Sequence, residues 1–239
     1  MLPKVSQPYQ PFLLRIVHGL TGLFAIAAIV TAFWTYDVYD GRWGRIPLPE
    51  FRDIEGIHGT FGLWTLLIFP LFVVYAFHRG QKRLIQSNSI NKLTRIGQPI
   101  WWYTLHRLVN TLSILALTFA VFSGKMMDEK WLPKGELNHS WYYAHLVSWL
   151  ILVTCISIHL LMSAKVGGLP LILSIINWRF RSKDSPTLWR KHFFQWRSNF
   201  KTENVRQWLL SITLLKIIEL FVLITIVLSW IISLVKEIS

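Results

Sequence analysis

The chain has 239 residues, 53% hydrophobic, with thirteen tryptophans and a formal net charge of +13. Length alone suits one or two soluble domains, but long apolar runs overrule it, because a bilayer core takes about 20 apolar residues per helix. A single cysteine, Cys155, excludes an intramolecular disulfide, a four-cysteine iron–sulfur cluster and haem attachment through Cys-x-x-Cys-His.

Residues 1–11 are polar and contain proline, and no small-residue cleavage site follows, so they read as a short cytoplasmic leader and not as a signal peptide. Five spans come next, at about residues 12–34, 55–77, 103–123, 141–163 and 208–235, with aromatic residues such as Trp34, Trp101, Trp141 and Trp208 near their ends. The expected fold is all-α and integral to the membrane. Residues 1–165 form a four-helix core, 166–207 a basic amphipathic segment, and 208–239 a fifth transmembrane helix.

The loops between spans differ in charge. Residues 35–55 carry five acids and three bases, 78–100 five bases and no acid, 124–140 three of each, and 164–207 nine bases against Asp184 and Glu203. This alternation predicts a cytoplasmic N-terminus and a C-terminus on the opposite side of a bacterial-type inner membrane or another energy-transducing membrane. Clustering between spans also makes topology, and not nucleic acid, the reason for the net charge. In the last loop Trp189, Phe193, Trp196 and Phe200 recur at helical spacing, with Arg190, Lys191, Arg197 and Lys201 between them. That pattern predicts a helix on the membrane surface, either a basic connector or a docking face for a partner subunit.

Five of the eight histidines fall inside spans: His18, His58, His106, His145 and His159. A polar group in hydrocarbon is costly, so each is a functional candidate. His145 and His159 share one helix; their fourteen-residue separation corresponds to about 21 Å of rise, with both rings near one face. Each then has a partner of matching depth: His58 with His145 at the outer level, and His18 with His159 at the inner level. Two bis-histidine pairs suit two stacked, non-covalent b-type haems. His18-Gly19-Leu20-Thr21-Gly22 and His58-Gly59-Thr60-Phe61-Gly62 place Gly22 and Gly62 one turn beyond a ligand, where a flat macrocycle needs room. The same glycines also suit close helix packing. Arg15, one turn before His18, is placed for a haem propionate. His106, followed by Arg107, lies at the depth of His18 and competes as the inner ligand; it also suits a quinone pocket or a propionate. Lys216 and Glu219, three residues apart at the start of the fifth span, allow an ion pair or proton path, although Lys216 can also simply reach the interface.

The pattern Arg15-x-x-His18, His58, and His145 with His159 fourteen residues later resembles the bacterial di-haem cytochrome b family. That family includes the cytochrome b subunits of formate dehydrogenase and NiFe hydrogenase and the bacterial cytochrome b561 proteins. The resemblance covers about residues 10–165 and implies that the fourth span supplies one ligand to each haem. It further implies electron exchange with membrane quinone, often beside the inner haem, and association with oxidoreductase subunits. A fifth span is similar to the hydrogenase type. No glycine-rich nucleotide loop is present, so a nicotinamide or flavin has no recognisable site. Two other classes remain: a haemless anchor or assembly subunit recruiting a soluble partner through the basic loop, and a transporter using Glu219 and the histidines as a proton relay.

Overall fold

The computed structural model describes residues 8–128, 130–198 and 213–238. Five long helices dominate: α1 (Phe12–Tyr39), α2 (Ile54–His78), α3 (Pro99–Met126), α4 (Ser140–Ile176) and α5 (Leu214–Ile238). All five are long and apolar enough to cross a membrane, and no strand occurs among the described residues. The protein is an all-helical, multi-pass membrane bundle.

α1 to α4 run longer than the hydropathy predicts, because hydropathy marks the hydrocarbon and not the end of the hydrogen-bonded ladder. α1 continues to Tyr39, whose hydroxyl donates to Glu55 at 2.6 Å, while buried Asp37 accepts the Ile46 amide at 2.6 Å. α3 starts at Pro99, a residue suited to the first helical position because its missing N–H has no partner there anyway. α4 extends to Ile176 through a bend at Gly168, where φ is 63° and ψ is −170°, two residues before Pro170. Glycine tolerates that φ without a Cβ clash, and proline removes a ladder donor, so the bend has a local cause.

α1 packs along α2, and α3 along α4, giving two antiparallel hairpins; α5 lies against α3 and α2. Contact between the hairpins is thinner. Leu66, Phe69, Val73 and Val222 are fully buried at the centre, joined by Ile114, Leu152 and Cys155. Small hydroxyl residues fill the other close contacts. Thr65, Thr118 and Ser229 are buried and donate to the carbonyl one turn back at 2.8, 2.8 and 2.9 Å. Large aliphatics such as Leu71, Leu161 and Ile224 point outward. That inversion is expected where lipid offers no hydrophobic drive and helices associate through small residues.

Cross-links close each end. At the basic end Arg15 donates to the carbonyls of Asn177 and Arg179, and the Ile85 amide donates to Thr111 Oγ1 at 3.0 Å. At the opposite end Tyr142 donates to Asp40 at 2.8 Å, and Arg42 to the Leu137 carbonyl at 3.1 Å. The amphipathic segment contains a helix, Trp189–Ser198, with Phe193 and Phe194 exposed and Trp189 against Phe12. The side chain of Trp196, together with Phe200, Lys201 and the expected start of the fifth span at residue 208, lies outside the described residues.

Candidate functional site

The histidines meet where the hairpins face each other. His58 on α2 and His145 on α4 have ring centroids 5.9 Å apart. His18 on α1 and His159 on α4 are 6.1 Å apart. Two imidazoles bound on opposite sides of one metal at about 2 Å have centroids about 6 Å apart, so both pairs have the spacing of axial ligands. Among the described residues no group of three or more His, Cys, Asp or Glu side chains could hold a bare metal ion. Two-imidazole pairs therefore suit a metal whose other donors arrive with it, as in a porphyrin.

Three of the four rings are held by their Nδ1 atoms, which leaves Nε2 for a metal. His58 Nδ1 is 3.0 Å from the Ala28 carbonyl and 3.3 Å from Thr31 Oγ1, both on α1. His145 Nδ1 is 3.0 Å from Ser123 Oγ, and His159 Nδ1 is 2.8 Å from Asn110 Oδ1, both on α3. Asn110 also donates to the Arg83 carbonyl at 2.9 Å, which ties the loop after α2 to the ring. Such outer contacts set the tautomer and orientation of a metal-ligating histidine. His18 differs: its Nδ1 is buried without a hydrogen-bond partner among the described residues, and its ring stands edge-on to Phe72 at 5.4 Å.

The glycines divide into two kinds. A Cβ added at Gly22 or Gly62 would meet nothing within 4 Å, so neither supports a tight helix contact, and both leave open space beside a histidine turn. A Cβ at Gly124 would come within 3.1 Å of His145 Cε1, so this residue makes room for the ring itself. Gly124, Asn110, Ser123 and Thr31 are absent from the expectations drawn from sequence. Their only signal there is a small or polar residue inside an apolar span.

His106 also approaches His159, at 5.6 Å between centroids, but its Nε2 lies 3.2 Å from Ser163 Oγ. Arg107 follows it on α3, half-buried. Arg15 is buried, and its guanidinium donates to the Asn177 and Arg179 carbonyls and stacks near Tyr9 and Phe12. It braces α1 to the end of α4, and Nε alone lacks a partner among the described residues. Arg83, in the loop after α2, lies within electrostatic reach of His18 and His106, and burial pushes its guanidinium below the ordinary value.

A family model described as prokaryotic cytochrome b561 matches residues 9–178. The match covers α1 to α4 and all five span histidines, and ends before α5. No curated protein and no solved structure matches the chain.

Proposed function

The chain belongs to the prokaryotic cytochrome b561 family, and from that premise we propose that it carries electrons between two stacked haems and exchanges them with membrane quinone. Membership makes it a membrane b-type cytochrome of electron transfer that binds b-type haem. The carrying observation is that α4 presents His145 and His159 to partners on the other hairpin at ring separations of 5.9 and 6.1 Å. In this reading His58 and His145 hold one haem, and His18 and His159 the other. Bis-histidine haem supplies one-electron transfer without ligand exchange.

His18 is preferred to His106 because the Nε2 of His106 is engaged by Ser163. His106, Arg107 and Arg83 are then the polar groups offered to propionates at that end, a role that the carbonyl contacts of Arg15 leave it poorly placed to fill. Gly22 and Gly62 leave room for the macrocycles. In this reading residues 1–165 form the four-helix core, 166–207 a basic connector and 208–239 an added fifth helix, and a family match that includes α1 to α4 supports the core. The basic loops place the N-terminus in the cytoplasm and the C-terminus across the membrane, with oxidoreductase subunits as partners.

The test is spectroscopic. Reduced-minus-oxidised spectra should show a b-type α band, pyridine haemochrome should give two haems per chain, and a quinol should reduce them. A colourless protein would refute the haem assignment; two haems inert to quinol would refute the coupling alone.

A further inference from the structure

Glu219 has no part in the sites above, yet it is buried on α5. The sequence offered Lys216 as its partner. Glu219 Oε1 also lies 2.8 Å from His78 Nε2, at the end of α2. A carboxylate withdrawn from water is costly unless paired. The pair is asymmetric: the Glu219 side chain is 5% exposed and that of His78 is 55% exposed. One member is buried and the other is exposed at the basic end of α2, the arrangement of a proton-exchange pair.

A cavity of about 210 Å³ opens beside the pair. Phe77 and Leu215 give it apolar wall, while Thr213 and Lys216 join the pair on the polar side. Lys216 is the other ionisable group lining it among the described residues. A second cavity of about 540 Å³ borders the same imidazole and is lined by Leu13, Val17, Leu71 and Val74, with Tyr75 and Arg79 at its polar end. A recess of ring size with polar groups on one side, next to an outward-facing and mostly apolar groove, suits a prenylated ring. Its position suits redox exchange: Phe72 touches the His18 ring, and His78 lies six residues further along α2, about 9 Å of rise.

We propose that Glu219 and His78 bind the head group of a prenylated quinol in this chamber and receive its hydroxyl protons. This rests on the quinone coupling proposed above and assigns it a site, one whose carboxylate lies outside the family match. Oxidation breaks the two O–H bonds. Each proton passes to the Glu219 carboxylate and through His78 to water. The two electrons would be taken up singly by the b-type haem that the histidines would hold, and the ring departs as quinone. Reduction of quinone is the reverse.

The experiment uses the haem-loaded full chain in lipid nanodiscs, with decylubiquinol as reductant and decylubiquinone for direct binding by calorimetry. Glu219→Gln should slow haem reduction by about a hundredfold, the scale of losing a general base, and weaken decylubiquinone binding, with haem content and potentials little changed. His78→Gln should slow it in the same sense, while Glu136→Gln at the opposite end should not. Wild-type rates in both site variants would overturn the site and leave the quinone coupling standing. A wild type inert to decylubiquinol would overturn both. If Glu219→Gln fails to retain haem, His78→Gln decides by the same criteria.

Discussion

At the scale of single residues, the four histidines were legible because an imidazole in hydrocarbon is rare and costly, and because depth can be counted along a helix. What holds them was not. Asn110, Ser123 and Thr31 act across helices, and no spacing within one helix foretells which neighbour a side chain will meet. Asn110→Ala removes the contact to His159 Nδ1 and should weaken haem retention at that pair by about tenfold, measured as haem released to apomyoglobin, with the other haem unaffected. Equal loss at both would contradict the pairing. Gly124→Ala brings a methyl within 3.1 Å of His145 Cε1, so the low-spin electron paramagnetic resonance signal of the His58–His145 haem should shift while the other stays fixed. An unchanged spectrum would show that the ring has slack there. Arg15 shows the same limit: its spacing from His18 suits a propionate, whereas its carbonyl partners at residues 177 and 179 lie far away in sequence.

At the scale of helices, all five were legible from apolar length, whereas their ends were not, because polar pairs such as Tyr39 with Glu55 extend α1 beyond the hydrocarbon. The bend at Gly168 was equally hidden, since Gly167-Gly168 and Pro170 also suit a simple helix end. α5 turns Val222, Ile226 and Ser229 inward against α3 and α2, and Ile224, Val227 and Ile231 outward. The two faces should respond differently to truncation. Ile226→Ala leaves a cavity and should cost about 2 kcal/mol in unfolding free energy in detergent. Ile224→Ala faces lipid and should cost less than about 0.5 kcal/mol. Similar losses would mean that α5 is not seated as the structure has it.

At the scale of the whole molecule, two helical hairpins face each other across a thin contact, and that contact is where both histidine pairs lie. The +13 charge gathers in the loops at one end, so a reporter enzyme that is active only across the membrane should work when fused to the C-terminus and fail when fused to the N-terminus. Activity at both ends, or at neither, would break the five-crossing topology. The most direct measurement is the haem count of purified single variants. His18→Ala, His58→Ala, His145→Ala and His159→Ala should each keep one haem of two, while His106→Ala keeps both. One haem in the wild type, or loss of haem in His106→Ala with both retained in His18→Ala, would contradict the pairing.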